Sequence, residues 1–479
     1  MLTRLKVSGF KNLVDLDVHL GPFTCVTGVN GAGKSNLFDA VQFLASLADR
    51  SLTDAAASVR TGDGRGSDAD SLLTRAGGDG ASEMSFEAEM IVPPQAVDEL
   101  GRTADASITF LRYGLTLARR LDTAGGGLAP LEIVKEELGH VNLGEAYRHL
   151  PFPHRASTWR RSAVIGSRRA PFFISTEGDG ADRVVTLHQD GGGGGPHSVP
   201  ARTLPRTVLS AANAAENPTA LVARREMQSW TLLHLDPAEL REPDDLRAPA
   251  VLGRNGSHLP ATLARLASGQ AQARLRARMA ELVDDLHDIR IDADRHRELL
   301  TLMVSTGDGV SHAARALPDG TLRFLALAAV EADPRAAGLY CVEEPENGIH
   351  PSRLAALARL LRDLPTDAAA PLGSDNPLRQ LIVNTHSPGL VSQVPDADLL
   401  VAEPRERTLH GRSVQSLGFA CLSGTWRART EAGSRIVSRA DLMASASPAP
   451  AAAPAETLRR AADRAAAAPD DQPQLPLYR

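Results

Sequence analysis

A chain of 479 residues with 43% apolar and 23% charged side chains has ordinary globular composition, enough for one large domain or two fused ones. Its net charge of -6 provides no global attraction to nucleic acid, so any such contact must be a local patch. Three cysteines without metal-binding spacing, no apolar run of membrane-spanning length and no apolar leader argue against a zinc site, a membrane span and secretion, and point to the cytoplasm.

The first apolar positions alternate: Leu5, Val7 and Phe10, then Val14, Leu16, Val18 and Leu20. They predict two antiparallel strands. The buried-type strand PFTCVTG follows, running through a Gly-rich turn into the helical pattern KSNLFDAVQFLASLA. Residues 61–82 are polar and Gly-rich and read as a surface loop. Period two returns over 83–140 in SEMSFEAEMIV, ASITFLRYGLTLA and LEIVKEEL, three half-buried strands. Residues 147–205 carry little pattern, and the glycine run 191–195 reads as a mobile connection. Helical periodicity dominates 208–289. The strand LLTLMVS, a helix after Pro318, the strand GLYCVEE, another helix and the strand QLIVNTHS close the core. From about residue 444 the chain turns Ala- and Pro-rich and is expected to be disordered.

Gly28-Val-Asn30-Gly31-Ala32-Gly33-Lys34-Ser35 satisfies G-x-x-x-x-G-K-[ST] between a predicted strand and a predicted helix. Glycines let the backbone wrap until its N–H groups point at phosphate oxygens, and the helix N-terminus adds positive potential. Lys34 would reach the β- and γ-phosphates of ATP, and the Ser35 hydroxyl would ligate Mg2+. Downstream, Gly338-Leu-Tyr-Cys-Val342-Glu343-Glu344 is an apolar strand ending in paired carboxylates, delivered to the edge where such sheets bind ligand. Glu343 suits the Mg2+ shell, and Glu344 suits the orientation and polarisation of an attacking water. A further strand ends at His386, a candidate γ-phosphate sensor or proton relay.

These segments together resemble the ABC-type P-loop ATPases of the RecF/SMC/OLD branch. The opening LTRLKVSGFKNL, the loop GVNGAGKSN with its trailing Asn36, LGRNGSHL, LPDGTLRFLAL, CVEEPENGIHP and VNTHSP carry the match, over roughly residues 1–400. The resemblance implies an α/β fold: a P-loop head with a mixed central sheet, an antiparallel N-terminal β subdomain and a helical lid. It implies an N-terminal ATPase lobe over 1–205, a lid over 206–300, a C-terminal lobe over 301–443 and a tail over 444–479. It makes 28–35 the Walker A loop, with Asn36 beside it, and Glu343–Glu344 the Walker B pair, with Glu344 catalytic. It makes Asp319, Gly320 and Thr321 part of the signature that touches the partner head's nucleotide, and His386 the switch histidine. Two departures stand out: Glu343 replaces the usual Asp, and Pro318 replaces the usual Ser, so the signature loses a hydroxyl and an N–H. For the Q-loop, Gln95 is the one candidate.

The implied function is ATP binding and hydrolysis that drives pairing of two heads in a homodimer or higher oligomer. Such a switch would act on DNA, RNA or a separately encoded nuclease or effector, in anti-phage defence or DNA repair. No coiled-coil arms and no Toprim-type acidic set are legible, which argues against an SMC-type tether and a fused nuclease. Arg160, Arg161, Arg168 and Arg169, with Trp159, Phe172 and Phe173 between them, form the candidate nucleic-acid patch. A solvated strand pair is the competing reading. The alternative function is a non-catalytic, ATP-loaded scaffold or toxin-neutralising partner, which Pro318 favours. A small-molecule kinase would leave LPDGTLRF and VNTHSP without a role.

Overall fold

The alternation of the first twenty residues becomes β1 (Leu2–Ser8) and β2 (Leu16–His19), paired antiparallel with Leu5 opposite Val18. The computed structural model describes residues 1–60, 69–75, 83–120, 131–190, 195–282, 286–307, 309–409, 411–430 and 434–446. The expected loop over 61–82, the glycine run and the Ala/Pro tail therefore lie largely outside the described residues.

Next in chain order are β3 (Phe23–Gly28), β4 (Glu83–Ile91), the small pair β5 (Gln95–Val97) and β6 (Thr103–Asp105), β7 (Phe110–Arg119) and β8 (Leu131–His140). The weakly patterned stretch then yields β9 (Phe172–Glu177), β10 (Val184–Leu187) and β11 (His197–Pro200). These short strands complete an eight-stranded antiparallel sheet in the order β11-β10-β9-β8-β7-β4-β1-β2.

Residues 208–289 correct the helical expectation. Helices occupy Pro218–Gln228, Pro237–Arg241, Leu259–Leu266 and Gly269–Leu282, but β12 (Thr231–Leu233) joins the central sheet. Around the lid, β13 (Asp244–Asp245), β14 (Leu286–Asp294), β15 (Leu299–Thr306) and β16 (Ser311–Ala313) form a second, smaller antiparallel sheet. The run Asp288-Ile289-Arg290-Ile291-Asp292 has strand alternation, which a 3.6-residue reading of the preceding helix overran. The β14–β15 hairpin also straddles residue 300, the expected lid boundary.

The central sheet is finished by β17 (Gly338–Glu343), β18 (Arg379–Thr385), β19 (Leu399–Leu409), β20 (Arg412–Leu422) and β21 (Arg435–Val437). Its order is β12-β17-β18-β3-β19-β20-β21, parallel from β12 to β19. Here too the sequence reading stopped short, because it ended the core at His386, whereas β19 hydrogen-bonds to β3 directly. β18 is buried at every position, as a parallel strand covered on both faces must be.

Two apolar layers enclose this sheet. One packs it, with the Lys34–Leu47 helix, against the antiparallel sheet; the other packs it against the Asp319–Ala332 and Leu354–Asp363 helices and the lid. Phe10, Phe43 and Phe86 meet at ring-centroid distances of 5.5–5.7 Å, tying the Lys34–Leu47 helix to β4 and the chain after β1. The result is the mixed α/β head architecture expected above, with its ligand edge where β12, β17, β18 and β3 end.

Candidate nucleotide site

At the end of β3 the chain must turn sharply before the Lys34–Leu47 helix can start. Gly33 makes that turn at φ 96°, and a Cβ there would lie 2.1 Å from the Asn12 amide nitrogen. Asn12 is the brace: its side chain donates to Ala32 O at 3.1 Å and accepts from Asn36 Nδ2 at 2.7 Å. The Asn36 side chain therefore supports the loop from behind. Asn12 was hidden inside KNL, with no signal but its polarity. Asn30 and Gly31 are exposed at the loop's tip, whereas Ala32 is turned inward.

Lys34 lies inside the loop, donating to Gly28 O at 2.9 Å and Val29 O at 2.8 Å, with His386 Nδ1 3.4 Å away. Burial lowers the Lys34 ammonium to about 8, with Glu344 opposing that shift. Burial and the Lys34 charge push the His386 imidazole below its ordinary value. Nδ1 of the ring faces Lys34, and Nε2 faces Glu344, whose Oε1 is 3.9 Å away. The turn that carries His386 is fixed by Thr385, which donates its hydroxyl to Glu346 and accepts from Ser387 N at 3.0 Å.

Glu344 adopts φ 47°, a left-handed conformation costing a non-glycine residue about 1–2 kcal/mol. Its backbone N–H donates to Asn384 O at 2.8 Å, and its Oε2 accepts from Asn347 Nδ2 at 2.6 Å. A strained residue held by its neighbours at the end of a strand is a common mark of a functional position.

Glu343 is gripped by Arg60 through both carboxylate oxygens, at 2.5 and 3.3 Å, and is hydrogen-bonded to Ser35. Burial alone would raise its carboxyl, but the bonds from Arg60 and Ser35 and the nearby charges hold it below the usual range. Arg60 Nε also holds Asp39 Oδ1 at 2.9 Å, and Lys11 holds the other Asp39 oxygen at 2.7 Å. This Lys11–Asp39–Arg60–Glu343 chain was not foreseen; Arg60 lies in a polar stretch that offered no motif. The Ser35 hydroxyl and the Glu343 carboxylate are hard oxygen donors in hydrogen-bond contact, a donor set that fits Mg2+.

Ser35, Glu343, Glu344 and His386 line one cavity of about 270 Å3, together with His234, Arg323, Asn347 and Asn384. Of the expected residues, Ser35, Glu343, Glu344 and His386 thus share this cavity, whereas residues 28–34 and Asn36 do not line it. Asp319, Gly320 and Thr321 do not line this cavity, although Arg323 of the same helix does. Arg241, on the Pro237–Arg241 helix, donates to Leu317 O at 2.9 Å and pairs with Asp319, tying that helix to the turn expected to be the signature. Gly320 has a packing duty that its motif did not suggest: a Cβ there would lie 2.1 Å from Gly348 O. Gln95 bonds Asp105 on the β5–β6 pair and does not line the cavity, so it is withdrawn as the Q-loop candidate.

Of the expected nucleic-acid patch, Arg168, Arg169 and the half-buried Phe172 line one trough, which Arg160 and Arg161 do not line. Arg160 and Arg161 follow Trp159, which is fully buried against Phe152. Arg168 stacks over the buried Phe173 ring at 4.1 Å, so neither Trp159 nor Phe173 is free to stack on a base. The trough, of about 870 Å3, lies on the antiparallel sheet. There Lys6 and Lys135 are already paired with Glu87 and Glu137 at 2.8 and 2.9 Å. Among the described residues no helix is long and apolar enough to cross a membrane.

Residues 23–95 and 200–392, more than half of the chain, match the family described as "AAA domain, putative AbiEii toxin, Type IV TA system". A 44-residue stretch is 46% identical to an OLD nuclease of Thermus scotoductus, covering 9% of this chain and 8% of that protein. The matched segment is thus under a tenth of that curated relative. Among solved structures, the chain resembles an SMC head bound to the C-winged helix domain of ScpA, at 12% identity and TM-score 0.43, over 87% of this chain and 98% of that one. It also resembles the SMC head domain from Thermotoga maritima, at 11% identity and TM-score 0.38, over 88% and 98%. At these TM-scores the likeness is loose and bears on nothing further.

Proposed function

This chain belongs to the AAA-domain family of the AbiEii and Type IV TA description, within the ABC-type P-loop ATPases of the RecF/SMC/OLD-like branch, and from that premise we propose that it binds and hydrolyses ATP to close a pair of heads. The observation that carries this reading is the meeting of Ser35, Glu343, Glu344 and His386 around one cavity, with Lys34 in contact with His386. Lys34 and the backbone N–H groups of the loop bind the triphosphate. Mg2+, held by Ser35 and Glu343, would draw charge from the phosphates. Glu344, fixed by Asn347, would orient a water and take up its proton, and the His386 imidazole would donate to the γ-phosphate oxygens.

The head pair accounts for a signature turn that lies off the cavity of its own chain: its exposed N-terminal end would meet the partner's nucleotide. On this reading the switch acts on nucleic acid or on a separately encoded effector in defence or repair. Pro318 favours a second reading, an ATP-loaded scaffold that turns over slowly. It caps the Asp319–Ala332 helix without any side-chain hydrogen bond, so a signature hydroxyl has no substitute at that position.

Glu344→Gln separates the two. It keeps shape and charge-neutral hydrogen bonding but removes the base, which typically costs ~10²–10⁴-fold in rate. The expected result is bound, unhydrolysed ATP and ATP-dependent dimers by light scattering. Wild-type hydrolysis by Glu344→Gln overturns the catalytic assignment. No hydrolysis by the unaltered protein, with ATP retained, selects the scaffold.

A further inference from the structure

Three parallel strands end in step at the ligand edge. Leu233 pairs with Val342 and Glu343 pairs with Asn384, so the residue after β12, His234, arrives beside Glu343 at one level of the sheet. The row across the edge is therefore His234, Glu343, Asn384, and all three line the cavity with Ser35. The position of His234 is fixed by its backbone N–H, which donates to Arg254 O at 2.8 Å in the lid.

Asn384 is 4% exposed, yet its side-chain oxygen has no hydrogen-bond partner. A buried amide oxygen left unbonded costs on the order of 1–3 kcal/mol, so it calls for a partner that binds there. No three His, Cys, Asp or Glu side chains converge on a metal position among the described residues. The row is instead a mixed set: an imidazole, a carboxylate, an amide oxygen and the Ser35 hydroxyl.

We infer that His234 and Asn384 complete, with Ser35 and Glu343, a nitrogen–oxygen site for a divalent cation, and that this site prefers Mn2+ to Mg2+. The inference rests on the reading of the cavity as a nucleotide site. Its chemistry is that of the donors. Mg2+ keeps oxygen ligands and near-ideal octahedral geometry, whereas first-row transition ions accept imidazole beside carboxylate and carbonyl oxygen. Arg60 competes for the Glu343 carboxylate, and can release it while its Nε keeps hold of Asp39.

The test uses Mn2+ with tripolyphosphate, a nitrogen-free stand-in for the nucleotide tail, on the full chain. Electron spin-echo modulation of bound Mn2+ should show coupling to an imidazole nitrogen in the unaltered protein. That coupling should vanish in His234→Ala and persist in His386→Ala. Asn384→Ala should keep it but bind Mn2+ at least about tenfold more weakly, the low end for removing a group from around a metal. Competition should show Mg2+ displacing Mn2+ poorly from the unaltered protein and readily from His234→Ala. Bound Mn2+ without nitrogen coupling, or coupling unchanged in His234→Ala, overturns the inference. A fluorescent ATP analogue titrated in EDTA runs alongside. If it binds while the coupling is missing, only the cation site falls; if neither it nor Mn2+ binds, the nucleotide reading falls as well.

Discussion

Lys34 gives the sharpest quantitative expectation, because its charge, which the proposed phosphate binding requires, is weakened by its surroundings. Burial inside the loop lowers it from the ordinary lysine value to about 8. The sign follows directly. Below pH 8 the free protein carries the ammonium and binds triphosphate fully; above it, a growing fraction must first take up a proton. Bound triphosphate raises the Lys34 value, so the whole cost falls on the free state. The charged fraction drops from about ten in eleven at pH 7 to about one in eleven at pH 9, an affinity loss of about tenfold, or ~1.4 kcal/mol. ATP itself completes its last ionisation near neutrality, so the window from pH 7.5 to 9.5 isolates the protein. Calorimetric titration in EDTA, in buffers of differing ionisation heat, would show falling affinity and proton uptake on binding. Lys34→Arg, which does not titrate, should bind more weakly at pH 7 and show no slope. A flat profile for the unaltered protein, or the same slope in Lys34→Arg, refutes the argument.

Gly320→Ala should lower the melting temperature and slow hydrolysis while leaving ATP affinity intact. Its Cβ would overlap Gly348 O, and overpacking of this kind costs typically ~1–3 kcal/mol. An unchanged melting temperature would return Gly320 to a purely ligand-facing role. Phe43→Ala should destabilise the fold by about 3–5 kcal/mol in urea unfolding, since it removes the ring shared by Phe10 and Phe86. A loss under about 1 kcal/mol would mean the antiparallel sheet is held to the helix elsewhere. Arg60→Ala should tighten Mn2+ binding by about fivefold, the equivalent of the ~1 kcal/mol of a partly exposed ion pair. Weaker binding would make Arg60 a support for the site instead of its competitor.

The legible parts of the site were those whose chemistry needs a fixed local string. Gly28–Ser35, Glu343–Glu344 and His386 each sit at the end of an apolar run, and parallel pairing carries such ends to one edge. What escaped was long-range or without a string. Asn12 and Arg60 act from loops far from the residues they hold, and nothing in KNL or SVR announces a partner. His234 follows a three-residue strand, too short for periodicity to register, and its importance comes only from its place beside Glu343. β9, β10 and β11 were missed for a related reason: FFISTE, VVTL and HSVP are too short for a period-two pattern to stand out. Trp159 and Phe173 of the arginine patch are buried, whereas Phe172 lines the trough beside Arg168 and Arg169, a difference that the sequence does not carry.

The geometry also bears on how a signature without its serine could still act. Asn347 spends its amide on Glu344 and its carbonyl on Arg323, at 2.6 and 3.1 Å. Arg323 rises from the helix whose first turn holds Asp319 and Gly320, and Gly320 packs on Gly348, next to Asn347. Helix and turn are thus locked at two points, one of them with no room for a methyl group. A displacement of the helix start would therefore move Asn347, and Asn347 fixes a catalytic candidate that is already strained at φ 47°. Such a coupling needs rigid contact at the helix start and no particular side chain at Pro318. On the proposed head-pair reading, the missing hydroxyl would weaken the grip on a partner's phosphate, but it would leave intact the path from the helix start to Glu344.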